Sequence, residues 1–115
     1  MPQEILSYIE NSKAQFRKGV LEFTVLLCLA KSELYATDIL NKLKGYQLLV
    51  VEGTIYPLLS RLKEAGFLSY NWVESKEGPP RKYYKLTDKG REVLKQLSTN
   101  YQELNQSINQ LINQS

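Results

Sequence analysis

One change of rhythm constrains this chain more than any other feature. From Arg17 to Gly66 apolar residues recur at three- and four-residue intervals, the period of a helix; from Phe67 to Leu86 they recur at every second residue, the period of a strand. A helical region followed by a short alternating one, in a chain of 115 residues, leaves room for one small domain with a modest core.

The stripes place the elements. Ile5, Ile9, Ser12 and Phe16 predict a short amphipathic helix over about residues 4–16. Val20, Phe23, Leu27 and Ala30, widened by Leu26 and Leu29, predict a second helical run from Arg17 to Ala30, buried on most sides, with Gly19 between the two. Tyr35 to Leu43 reads as a helix with Ile39, Leu40 and Leu43 inward and Gly45 as its stop. After a loop, Glu52 to Gly66 carries Ile55, Leu58, Leu59 and Leu62 as one stripe, with Pro57 in the first turn and Gly66 as the end.

Phe67 to Glu74 then alternates, with Leu68, Tyr70 and Trp72 on one face. Ser75-Lys76-Glu77-Gly78-Pro79-Pro80 is a turn, and Arg81 to Leu86 returns with Lys82, Tyr84 and Leu86 together, making a hairpin with a basic tip. Thr87-Asp88 caps a last helix whose Leu94, Leu97, Tyr101, Leu104, Ile108 and Leu111 are spaced as a heptad seam.

This order is that of a winged helix-turn-helix: a mainly α fold with a small β-hairpin wing (α+β), an N-terminal helix and a long C-terminal dimerisation helix. Residues 1–87 form the winged domain and 88–115 the last helix, packed as part of the same unit. That helix is too long and too apolar on one side to stand alone, and its flanks Ser98, Asn100, Asn105 and Ser107 carry no charge to set strand orientation.

Charge placement says more than the total of +3. Lys42 to Lys95 is net +5, whereas the segments before and after it are each −1. Histidine is absent, which excludes histidine acid–base chemistry and histidine metal sites; the single Cys28 excludes an intramolecular disulfide and a cysteine cluster. No serine has a histidine to activate it, and no carboxylate pair has a suggestive spacing, so the chain is not expected to be an enzyme or to hold a cofactor or metal. The longest apolar run, Val20 to Ala30, is too short to span a membrane, and Met1-Pro2-Gln3-Glu4 has no positive segment of a signal peptide; a cytoplasmic protein is expected.

The basic middle contains the candidate contacts. Thr54, Tyr56, Ser60, Arg61, Lys63 and Glu64 lie off the stripe of the third helix, facing outward to phosphates and base edges if that helix enters a major groove. Of these, all but Glu64 are candidate DNA-binding residues; Thr37, near the start of the preceding helix, and Lys76, Arg81 and Lys82 of the wing complete the set.

Leu34-Tyr35-Ala36-Thr37-Asp38-Ile39, Gly53-Thr54-Ile55-Tyr56-Pro57-Leu58-Leu59-Ser60-Arg61-Leu62, Glu64-Ala65-Gly66-Phe67-Leu68 and the Gly78–Gly90 stretch containing Arg81-Lys82-Tyr83-Tyr84-Lys85-Leu86-Thr87 together resemble the PadR-type transcriptional regulators over roughly residues 20–95. Ala36 departs from the glycine usual in that family. The resemblance implies a homodimeric, sequence-specific repressor reading an inverted-repeat operator in double-stranded DNA, with the last helix meeting the N-terminal region of the partner. It also implies a small aromatic or amphipathic effector at the dimer interface.

Phe16, Phe23, Trp72, Leu97 and Tyr101 are the candidates to line such a pocket. Tyr101 alternatively packs plainly in the seam, Trp72 suits a packed strand aromatic, and Cys28 suits core filling as well as a redox role. Two other functions fit the same elements: a winged helix used for protein–protein docking, and a small DNA-binding regulator without an effector.

Overall fold

A computed structural model describes residues 1–114, so the last residue of the expected 88–115 segment lies outside the described residues. The element order is α1 (Gln3–Cys28), β1 (Leu34–Tyr35), α2 (Ala36–Gly45), α3 (Glu52–Glu64), β2 (Leu68–Ser75), β3 (Gly78–Leu86) and α4 (Asp88–Gln114). Four helices and a small antiparallel sheet form the winged helix expected from the change of period.

The core lies where α1, α2, α3 and the base of the sheet converge. Val25, Leu26 and Leu29 meet Ile39 and Leu43, the whole α3 stripe of Ile55, Leu58, Leu59 and Leu62, and Leu68, Tyr84 and Leu86 from the strands. The α3 stripe is buried as its spacing predicts.

Several expectations need correction. The two predicted N-terminal segments are one continuous helix: Gly19 is exposed with open space around its Cβ position, so it weakens α1 without breaking it. Within the Arg17–Ala30 run expected to be buried on most sides, Arg17, Lys18 and Gly19 are exposed and Leu27 points outward, while Val25, Leu26, Cys28 and Leu29 take the core.

Gly45 does not stop α2 but is its last helical residue. The chain turns at Gln47, whose φ is +65°, as the Leu48 N–H donates to the Leu43 carbonyl (2.8 Å) and the Gln47 N–H to that of Lys44 (3.0 Å). The end of α3 has the same geometry with the expected residue: Gly66 at φ +87°, and the Phe67 N–H donating to the Leu62 carbonyl. Pro57 is the sixth residue of α3 rather than part of its first turn, so Gly53 loses the helical donor it would otherwise accept from.

The wing is a three-stranded sheet of order β1-β3-β2, not a bare hairpin. Leu34 and Tyr35 pair with Tyr84 and Tyr83 at the edge of β3. Pro79 and Pro80 belong to β3, leaving Lys76 and Glu77 as the turn. The ladder shifts register there: Val73 pairs with Arg81 but Ser75 with Gly78, so β3 holds one extra residue where two prolines have no N–H to donate. The predicted strand face is present, with Leu68 opposite Leu86, Tyr70 opposite Tyr84 and Trp72 opposite Lys82.

Thr87 caps α4 as expected and does more. Its hydroxyl accepts from the Gly90 N–H (3.0 Å) and donates to the Gly66 carbonyl (2.6 Å), while its own N–H donates to the Phe67 carbonyl (3.1 Å). Arg91 adds a bond from its guanidinium to the Ala30 carbonyl at the end of α1 (3.2 Å). The base of α4 is thereby bonded to both the α3–β2 corner and α1.

The heptad seam divides. Leu94 and Leu97 pack on the domain's own core, whereas Tyr101, Leu104, Ile108 and Leu111 are exposed. Ile5, Leu6, Tyr8 and Phe16 leave a second apolar face exposed along the first half of α1. Among the described residues, no helix is long and apolar enough to cross a membrane.

Candidate nucleic-acid interface

With its apolar stripe buried, α3 presents Thr54, Tyr56, Ser60, Arg61, Lys63 and Glu64 to the outside. Between α3, the start of α2 and the wing lies an open groove of about 400 Å³, lined by Thr37, Tyr56, Ser60, Trp72, Arg81 and Lys82 with Tyr35, Ala36 and Tyr84. Five of the predicted contact residues, from three separate elements, therefore meet on one surface. Lys63 joins them at the edge, where a smaller cavity is shared by Ser60, Lys63, Tyr70 and Lys82.

Three of the predicted residues lie elsewhere. Thr54 sits at the other end of α3, in a depression shared with Arg17, Lys18 and Val51. Lys76 stands at the exposed hairpin turn, where the Glu77 N–H donates to Ser75 Oγ (3.4 Å). Arg61 is exposed on α3.

Aromatic rings seat the cations of the groove. The Arg81 guanidinium lies 5.0 Å from the centroid of Tyr35, and that ring meets Tyr83 at a tilt, with centroids 4.7 Å apart. The Lys82 ammonium lies 4.7 Å from Tyr70 and 5.4 Å from Trp72, rings that meet edge to face. Lys63 approaches Tyr70 at 5.8 Å and pairs loosely with Glu64 (3.8 Å), an exposed contact of little energetic weight.

A ring orients a cation without cancelling its charge, at roughly 0.5–1 kcal/mol per exposed contact. Among the described residues neither Arg81 nor Lys82 has a carboxylate partner, so the groove keeps its positive charge. Tyr84 closes the floor; burial pushes its phenol above the ordinary range, helped by Tyr70 and Tyr56, and it stays neutral.

Tyr35 and Tyr70 are absent from the contacts expected from sequence. The alternation that pairs Tyr70 with Tyr84 and Trp72 with Lys82 carries part of that signal; Tyr35 comes near Arg81 only through β1, too short to show a period. Trp72 needs reassignment. It is 63% exposed and lines the groove beside Lys82, whereas Phe23 and Tyr101 meet where α1 passes α4, with centroids 5.7 Å apart. Leu97 is part of the packing below, and Phe16 is exposed further along α1. Cys28 is buried, and burial pushes its thiol up against the opposing pull of Lys42, which leaves it a weak nucleophile.

The sequence over residues 25–96 matches the model of the transcriptional regulator PadR-like family. The chain belongs to that family. A PadR-like transcription factor from Bacteroides fragilis is 55% identical over 88% of this chain and 98% of its own, with a TM-score of 0.74. A PadR family transcriptional regulator from Eggerthella lenta is 26% identical but superposes more closely, at a TM-score of 0.89 over 96% of this chain and 97% of its own. Bacillus subtilis PadR, solved in complex with operator DNA, is 31% identical with a TM-score of 0.63, covering 68% of this chain and 46% of its own. No curated protein matches the sequence. These PadR-like relatives are transcription regulators.

Proposed function

We propose that this PadR-like chain is a homodimeric, sequence-specific DNA-binding repressor. The observation that carries the reading is the single groove on which Thr37, Tyr56, Ser60, Arg81 and Lys82 converge, with both cations seated on rings and free of carboxylates among the described residues. In this reading α3 enters the major groove, where Tyr56 and Ser60 meet base edges and sugar while Arg61 and Lys63 meet guanine or phosphate. Lys76, Arg81 and Lys82 hold the flanking backbone, and Thr54 contacts DNA at the start of α3. The operator-bound Bacillus subtilis relative supports the choice of ligand.

Two half-sites one helical turn apart, about 34–36 Å, suit a twofold dimer. The exposed faces of Tyr101, Leu104, Ile108 and Leu111 on α4 and of Ile5, Leu6, Tyr8 and Phe16 on α1 support pairing of copies, the last helix of one against the first of the other. Release by a small aromatic or amphipathic effector completes the reading, and the contact of Phe23 with Tyr101 supports an aromatic site where α1 meets α4.

Selection of bound duplexes from a random pool, followed by gel shift across a salt series, tests the proposal. The expected result is an inverted repeat bound at nanomolar protein, with affinity falling steeply as salt rises. Recovery of no common sequence, or an affinity indifferent to salt, overturns it.

A further inference from the structure

A second cavity lies away from the groove, between the last turns of α1 and α2. It is a half-open hollow of about 550 Å³, within the range of small-molecule sites. Its apolar lining is Leu27 from α1, Ala30 just beyond that helix, Leu43 from α2 and Leu48 from the loop that follows α2, together with Tyr46 and the buried Cys28. Two further lining residues are charged, Lys31 and Lys42, and both are exposed. No carboxylate lines the cavity, and among the described residues neither lysine has an ion-pair partner. Burial raises the Cys28 thiol and the charge of Lys42 opposes that rise, and both residues line the cavity.

An apolar chamber with two unneutralised cations at its edge favours one kind of occupant. An apolar ligand leaves both charges idle, a cation is repelled, and a fully polar anion gains nothing from the walls. We propose that this cavity binds a free small carboxylic acid with an aliphatic body, the carboxylate meeting Lys31 and Lys42 and the chain lying on Leu27, Leu43 and Leu48. The site is distinct from the contact of Phe23 with Tyr101. Tyr46 and Leu48 flank Gln47 in the loop of residues 46–51 that joins α2 to α3, so an occupant touches the connection to that helix. Only this regulatory aspect rests on the DNA-binding reading; ligand binding does not.

Calorimetric titration of the full chain with octanoate, octan-1-ol and octylammonium, all as monomers in solution, tests the site. Octanoate should bind saturably with one site per chain, octan-1-ol at least about tenfold more weakly, and octylammonium not at all. The double substitution Lys31→Gln and Lys42→Gln should reduce octanoate to the level of the alcohol. Its unfolding midpoint without ligand should be unchanged, since neither side chain has a polar partner among the described residues. Absence of saturable octanoate binding overturns the proposal, as does binding that ignores the double substitution. Binding accompanied by dissociation of a dimer also overturns it, because the cavity is then occupied by a second copy of the chain. Gel shift with and without octanoate separates the two questions: binding without an effect on DNA leaves the site intact and removes only its regulatory role.

Discussion

At Gly90 even a methyl group has nowhere to go. A Cβ placed there runs into the carbonyl oxygen of Phe67, which is backbone and cannot move aside, and lies 3.3 Å from Leu86 Cδ2. The close approach is what lets Thr87 bond to the α3–β2 corner and to the first turn of α4 at once. Gly90→Ala should therefore cost about 2–3 kcal/mol in a urea titration. Gly53→Ala, in the first turn of α3 with open space around it, should instead stabilise the fold by up to about 1 kcal/mol. At the end of α2 the sign reverses: Gln47 occupies a left-handed conformation that costs an L-residue energy, and Gln47→Gly should raise stability by about 0.5–1 kcal/mol in the same measurement. The sequence marks Gly90 as part of a motif but does not reveal its neighbour, because Phe67 is brought there by the wing. Nothing marks Gln47, since a glycine two residues earlier offers a more conventional stop.

Among the elements, α2, α3 and the wing were legible because each buries one face, and a buried face imposes a period; α4 was legible from an apolar seam of which only the first part packs on the core. The exceptions have equally physical causes. Strand β1 has two residues and no period to read. The continuity of α1 across Gly19 follows from length: a single glycine on an exposed face costs about 1 kcal/mol, too little to break a helix held by packing at its far end. The extra residue in β3 comes from consecutive prolines that read more simply as turn. The groove was half legible. Its cations were visible as a basic excess, but the rings under them depend on cross-strand register. If Arg81 and Lys82 meet phosphates, Arg81→Ala with Lys82→Ala should weaken binding to all duplexes alike and reduce the salt slope by about two. Anisotropy measured against operator and random DNA checks this; a loss confined to one base position would instead assign these residues to base reading.

For the whole molecule, the divided seam of α4 matters most. Its first apolar positions are used within the chain, and the remaining ones are exposed, a distinction a heptad pattern alone does not draw. Leu104→Lys with Ile108→Lys should leave the fold intact, as both residues are about half exposed, and convert the proposed dimer to a monomer in sedimentation equilibrium. The same variant should lose at least about tenfold in operator affinity, because two half-sites are then bound independently. The join between wing and last helix adds a mechanical consequence. Leu86 ends β3, Asp88 begins α4, and the one residue between them is bonded on both sides. The joint has no slack, and α4 extends from it as a stiff arm of roughly 40 Å. In the proposed dimer, clasped along two such arms, a few degrees of rotation at the clasp would reach the wings as a change in their separation, so the spacing of sites the pair can straddle would be tuned at a distance from the reading heads.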